Sequence, residues 1–296
     1  MTPSGTAHGV TFRPLSPVVG AEVIGLDASR ELAPEVVETL LDAAAAYGVL
    51  LFRDQHLDTD EQRRFSRYFG DLAGGFVGDT IEKRAGGQSG ATTVKEVLYV
   101  GNLTVEGEQG IIPSGELQFH SDGLYTERPA KGTLLYAIEI PSSGGNTLFA
   151  STAHAFATLA PALRERLIGL DIDLIFDYTT TVRTTNPPAD APRFVHPLVI
   201  EHPRSGQALL NCNRLMATTI LGAAPAESAA LIAMLCDHVE RREFVYEHAW
   251  RVGDLLFWDN LATVHARTDF DPAQRRWLRR TTIKGERPRR FGASVR

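Results

Sequence analysis

Phe119-His120-Ser121-Asp122, followed far along the chain by Leu255-Leu256-Phe257-Trp258-Asp259-Asn260 and His265, is the stretch from which this protein can be read. In an extended segment, residues two apart point to the same face, so His120 and Asp122 aim at one point while Ser121 turns away. His265 follows a strand-like run, and a distant strand of this kind can bring a third ligand to the same point. Two histidines and one carboxylate form the donor set of a non-haem ferrous site with open coordination positions. An H-x-D triplet alone is a weak signal. His265 supplies what it lacks, and His8, His56, His154, His196, His202, His238 and His248 have no carboxylate at comparable spacing and read as surface or packing residues.

The bulk properties allow such a site to be held by an ordinary core. The chain has 296 residues, 43% of them hydrophobic, enough to bury a core without disulfides. Cys212 and Cys236 are the only cysteines. They are too few for a disulfide framework or a cysteine-rich metal centre, which points to a reducing compartment. The start, Met1-Thr2-Pro3-Ser4-Gly5, has neither a basic nor an apolar run, and nothing approaches the roughly 18 apolar residues of a membrane span, so a cytoplasmic location with no membrane partner is expected. A net charge of −6 argues against nucleic acid as a partner.

Local patterns give a mixed α+β chain. Pro34 opens a helix with Val37, Leu40, Leu41 and Ala44 on one face, ending at Gly48. Val49-Leu50-Leu51-Phe52 reads as a buried strand, and Asp58 or Thr59 caps a second helix carrying Phe65 and Phe69. Residues 70–115, rich in Gly, Thr and charge, contain one clear strand at Val97-Leu98-Tyr99-Val100 and otherwise suit an active-site lid. Thr133–Ile140, the Pro141–Gly145 turn and Thr147–Ala150 suggest a hairpin. Ser151 or Thr152 caps a helix expected to run to about Leu167, and another fits Pro225 to Arg241. No repeat or linker divides residues 1–296, so a single domain is expected.

A second constellation lies in Arg275-Arg276-Trp277-Leu278-Arg279-Arg280-Thr281-Thr282-Ile283. If this is a strand, Arg276 and Arg280 share a face, rooted about 13 Å apart at roughly 3.3 Å per residue. An inward guanidinium could take a carboxylate through two parallel hydrogen bonds. An edge strand with solvated charges would show the same residues.

Taken in order, Leu50-Leu51-Phe52-Arg53-Asp54-Gln55, Phe119-His120-Ser121-Asp122, Pro141-Ser142-Ser143-Gly144-Gly145-Asn146-Thr147, Gly253 to Asn260, His265, Arg276 and Arg280 resemble the taurine dioxygenase and 2,4-dichlorophenoxyacetate dioxygenase (TauD/TfdA) family. The resemblance runs from about Val10 to Gly285. It implies a double-stranded β-helix, the jelly-roll or cupin-like core, with flanking helices. It also implies an Fe(II)- and 2-oxoglutarate-dependent dioxygenase that uses O2, releases succinate and CO2, and most often hydroxylates a substrate C–H bond. His120, Asp122 and His265 would be the metal ligands, Thr147 and Arg276 would bind the distal (C5) carboxylate of 2-oxoglutarate, and Arg280 would face an acidic group of a small substrate. Because Asp122 fills the carboxylate position, halogenation is disfavoured. Homo-oligomers are common in such a family, but no apolar stripe here fixes a symmetry.

Substrate identity is the part the motifs leave open. Taurine-cleaving members of the family carry Asn four residues before the first ligand, where this chain has Glu116. A pocket-facing Glu116 could pair with a substrate ammonium and favour an amino-acid-like zwitterion. Gln118, Phe119, Tyr125 and Phe149 are further candidates for the substrate pocket. Two other classes use the same ligands: a zinc hydrolase acting through metal-bound water, and a metal- or ligand-binding jelly roll without turnover. The hydrolase would leave Arg276 and Thr147 without a purpose, and nothing in the sequence suggests the effector domain of a sensor.

Overall fold

The computed structural model describes residues 5–74, 96–112, 115–177, 181–183 and 187–293. Val49–Phe52 is apolar at every position because both of its faces are covered. Leu50 and Phe52 join Leu40, Phe65 and Phe69 on the helical side, while Val49 and Leu51 join Leu135, Phe149 and Trp258 in the interior. This strand belongs to a large sheet ordered Gly5–Ala7, Val10–Pro14, Ala21–Ile24, Val49–Phe52, Leu255–Asp259, Gly132–Glu139, Trp277–Ile283 and Leu72–Ala73. Val97–Gly101 also pairs with Trp277–Ile283. All the pairs are antiparallel except Ala21–Ile24 with Val49–Phe52.

Facing it is a smaller sheet ordered Val245–His248, Thr147–Ser151, Thr263–Arg267 and Leu117–His120. Phe149 of the small sheet and Trp258 of the large one meet between them, ring centroids 5.6 Å apart. Two such layers closing over one apolar interior are the expected jelly roll. The outer face of the large sheet is covered by Pro34–Tyr47, closed by Gly48 at φ 72°, and by Thr59–Arg67, where Asp58 and Glu61 form a reciprocal capping box. A further core, with Pro225–Val239 against Asp171–Ile175 and Ala217–Ile220, includes Tyr125, Leu215 and Met216 and so reaches the interior cavity described below.

Two local expectations change. Gly132–Glu139 and Thr147–Ser151 do not form a hairpin, because the Pro141–Gly145 turn carries the chain from one sheet to the other. The helix expected from Ser151 to Leu167 is two, Thr152–Thr158 and Pro161–Ile168. Pro161 forces Ala160 to extended backbone, with ψ 138°, and ends the first helix. Of the stretch expected as a lid, residues 75–95 and 113–114 lie outside the described residues; the strand expected at Val97–Val100 is present as Val97–Gly101, and Leu72–Ala73 is a further strand of the large sheet. Among the described residues no helix is long and apolar enough to cross a membrane.

Candidate active site

His265 lies in a central strand of the small sheet, opposite Phe149 on one side and His120 on the other. The two imidazole centroids are 4.1 Å apart. Asp122 reaches them from outside the strand, which stops at His120. A turn replaces the extended chain expected there, and Asn260 fixes it: its Oδ1 accepts from Asp122 N at 2.7 Å, while its Nδ2 donates to Asp122 O at 2.8 Å and Ala130 O at 2.9 Å. Ser121 turns away, as expected, and donates to Thr263 O. One donor atom from each of His120, Asp122 and His265 lies within 4.8 Å of the others, and all three residues are buried. Asp122 Oδ1 is 3.9 Å from both Nε2 atoms.

The electrostatics suit a metal. Burial pushes the pKa of both histidines below the ordinary imidazole value, leaving them neutral. The Nδ1 of His120 is 2.9 Å from Gln118 O, and donating there leaves the Nε2 lone pair free. Burial opposes ionisation of Asp122, but the Arg280 guanidinium, joined by the two imidazoles once they are protonated at low pH, more than offsets it and holds the carboxyl well below its usual range. Arg280 Nη2 lies 2.7 Å from Asp122 Oδ2, which also accepts from Thr133 at 3.0 Å. Oδ2 is therefore engaged, and Oδ1 is the oxygen turned to the histidines. Two neutral imidazoles and one carboxylate converging in a dry site fit a divalent transition metal.

The same cavity contains Arg276, which is only 1% exposed. Burial, with Arg267 nearby, pushes its pKa down to about 9. Among the described residues its Nε has no hydrogen-bond partner, and its Nη1 reaches only Val100 O, at 3.5 Å. Among the described residues no carboxylate lies within ion-pair distance of it. Its backbone is fixed by Asn102, whose Oδ1 accepts from Arg276 N and whose N donates to Arg276 O. Gly145, at φ 66°, gives the side chain room, since a Cβ there would stand 3.2 Å from Arg276 Nε. Thr147 also lines the cavity, and its Oγ1 accepts from Trp250 Nε1 at 3.0 Å. That leaves its O–H free to donate.

The remaining candidates are placed unevenly. Arg280 and Tyr125 line the cavity, Tyr125 stacked on Phe176 with centroids 4.9 Å apart. Gln118 is tied to Arg183 N by its Oε1, and Phe119 packs against the neighbouring core; neither lines the cavity. Glu116 is exposed and also outside the lining, so the pairing expected with a substrate ammonium has no support here. The reason is a register shift. His265 pairs with His120 but Arg267 pairs with Leu117, so an extra residue of the Leu117–His120 strand is accommodated there. Leu117 and His120 consequently face the cavity together.

Several residues were read without a site role or missed. Trp258 lines the cavity beside His265, and Asn260 holds Asp122 as described. Arg267 faces the cavity as well, signalled only by its place two residues beyond His265 on one strand. Two histidines read as packing residues have buried carboxylate partners outside the cavity, His202 with Asp259 and His248 with Asp254. Asp254 also pairs with Arg53 at 2.7 Å, which explains two motif residues as structural.

Fold and site together define a 2-oxoglutarate-dependent oxygenase of the jelly-roll class, which works with Fe(II), 2-oxoglutarate and O2. The chain belongs to the taurine catabolism dioxygenase TauD, TfdA family, matched over residues 11–282. It is 31% identical to an alpha-ketoglutarate-dependent 2,4-dichlorophenoxyacetate dioxygenase of Burkholderia sp. (strain RASC), covering 93% of this chain and 94% of that protein. A taurine dioxygenase structure from Burkholderia xenovorans superposes with a TM-score of 0.76 and 29% identity over 95% of this chain and 91% of that one. The structure of AAD-2 in complex with Mn(II) and N-oxalylglycine superposes with a TM-score of 0.74 and 26% identity, covering 94% and 98%.

Proposed function

We propose that His120, Asp122 and His265 hold the ferrous ion, that Arg276 and Thr147 receive the distal carboxylate of 2-oxoglutarate, and that the substrate is a small organic acid with an apolar body. The observation that carries this reading is the unpaired, buried guanidinium of Arg276 opening on the same cavity as the two histidines and the aspartate. A buried cation without an anion is costly, and an incoming carboxylate relieves that cost.

When bound, iron and 2-oxoglutarate supply the oxidative decarboxylation, to succinate and CO2, that activates O2 for attack on a substrate C–H bond. The chain's own groups prepare the site. Neutral His120 and His265 and ionised Asp122 offer lone pairs without first losing protons. Arg280 and Thr133 hold Oδ2 of Asp122 and so orient the carboxylate. Leu117, Tyr125, Phe176, Leu215 and Met216 form an apolar wall that excludes water and suits a hydrocarbon or aromatic body. Among the described residues Asp122 is the only carboxylate in the lining, and Arg280 already engages it. A substrate ammonium would meet no free acid among those residues, which favours a simple acid over a zwitterion. An acid reaching for Arg280 would share it with Asp122.

The test is anaerobic addition of Fe(II) and 2-oxoglutarate, which should give a weak visible metal-to-ligand charge-transfer band. A panel of apolar carboxylates, sulfonates and amino acids is then screened for compounds that accelerate loss of the band on oxygenation and release succinate. Acceleration by amino acids in preference to amine-free acids would overturn the substrate reading. Absence of the band would overturn the site reading.

A further inference from the structure

Arg267 is a second buried cation in the cavity, outside the motifs that mark the other site residues. It is 5% exposed, and among the described residues no carboxylate lies within ion-pair distance of it. Its Nη1 donates to Ile112 O at 2.7 Å and its Nη2 to Gly115 O at 2.6 Å, while its Nε has no partner among the described residues. In the sheet register it stands directly opposite Thr147 on one side and Leu117 on the other. Its guanidinium carbon lies 5.6 Å from the centroid of the Phe270 ring, and that of Arg276 lies 5.7 Å from the same centroid. Two guanidiniums, each with a buried unpaired Nε, thus flank one ring at the end of the cavity marked by Thr147.

Like charges held this close in a dry site repel, and an anion placed within reach of both converts the repulsion into two attractions. Arg280 does not share this condition, because Asp122 already matches its charge. Resting on the reading of the site given above, we propose that Arg267 is a second positioning residue for the distal carboxylate of 2-oxoglutarate, completing a two-arginine clamp with Arg276. Arg267 also joins that clamp to the chain at Ile112 and Gly115, and Ile112 lines the same cavity. Asp269, whose charge favours the Arg267 cation from beyond ion-pair distance and so offsets part of its burial cost, reinforces this link by accepting from Gly115 N at 2.9 Å.

Calorimetric binding of two oxo acids to the Mn(II)-loaded protein without O2 tests the proposal and needs no turnover. The probes are 2-oxoglutarate and 2-oxobutyrate, which share the 2-oxo acid end and differ in the distal carboxylate. Arg267→Leu should weaken 2-oxoglutarate about tenfold and leave 2-oxobutyrate within about twofold, the signature of one lost charge-assisted contact. Arg267→Lys, which retains the charge and guards against loss of folding in the leucine variant, should recover part of the affinity. Unchanged 2-oxoglutarate binding in Arg267→Leu would overturn the proposal. So would an equal loss for both oxo acids, or an effect confined to the affinity of the substrate acid. If the native protein itself failed to prefer 2-oxoglutarate over 2-oxobutyrate, the underlying assignment of Arg276 would fail instead, before any Arg267 variant was made.

Discussion

The segment from Arg276 to Ile283 carries arginines with opposite fates on its two sides. Arg279 turns outward under the Thr59–Arg67 helix, where it donates to Gln62 Oε1, Thr59 Oγ1, Leu57 O and Asp58 O and lies over the Tyr136 ring. Arg276 turns into the cavity, more deeply buried than Arg279, with an unpaired Nε and a single long contact to Val100 O. Both are buried guanidiniums three residues apart, so neither residue type nor burial separates them. What separates them is hydrogen-bonding capacity left unmet: a buried donor set that is satisfied holds the fold together, and one left open marks where a ligand belongs.

The comparison breaks most readily at Arg276. Arg276→Leu should weaken 2-oxoglutarate binding about 100-fold, or roughly 3 kcal/mol, with no loss in thermal midpoint, because it removes a buried charge that has no partner in the ligand-free protein. Arg279→Leu should do the reverse. It should cost about 3 kcal/mol of folding stability by leaving Gln62 and the carbonyls of Leu57 and Asp58 unmatched, and should leave 2-oxoglutarate affinity in the surviving folded fraction unchanged. If both variants changed binding and stability alike, the distinction between the two sides would be lost.

A smaller effect concerns pH. His120, His265 and His248 all have pKa values lowered mainly by burial, so below the ordinary histidine value of about 6.5 the unfolded chain takes up protons that the folded chain refuses. Stability contributed by these groups is fully present above that pH and declines as pH falls through the window below it. The urea midpoint of metal-free protein should therefore drop between pH 7 and pH 5.5, by at most about 1.4 kcal/mol per group per pH unit. A flat profile would show that the imidazoles are not held neutral. Smallest is Asp58→Ala, which removes the cap of the helix above Arg279 and should cost about 1 kcal/mol of stability without altering oxo-acid binding.

The sequence carried the chemistry further than the topology. His120, Asp122, His265, Thr147 and Arg276 are legible because several ordered motifs agree; the structure gathers them at one cavity, although Asp122 reaches it from a turn and not from the strand that the spacing suggested. The hairpin expectation at Pro141–Gly145 failed because a turn signal marks a reversal without saying which sheet receives the next strand. Gln118, offered as a pocket candidate, does not line the cavity, and the extra residue between Leu117 and His120 that turns it away has no signature of its own in the sequence. Arg267 was open to the same two-residue rule that joins His120 to Asp122, but its meaning depends on Phe270 and Arg276 lying beside it, which only the folded chain shows. Glu116 illustrates the converse: a residue placed by motif counting that the fold leaves at the surface.

The most direct test is a crystal structure of the protein grown with Mn(II) and N-oxalylglycine under anaerobic conditions, with the metal located by anomalous scattering. The account predicts one metal ion bound by His120, Asp122 and His265, with the distal carboxylate of the analogue on Arg276 and Thr147. A metal bound elsewhere, or a distal carboxylate seated away from Arg276, would contradict it.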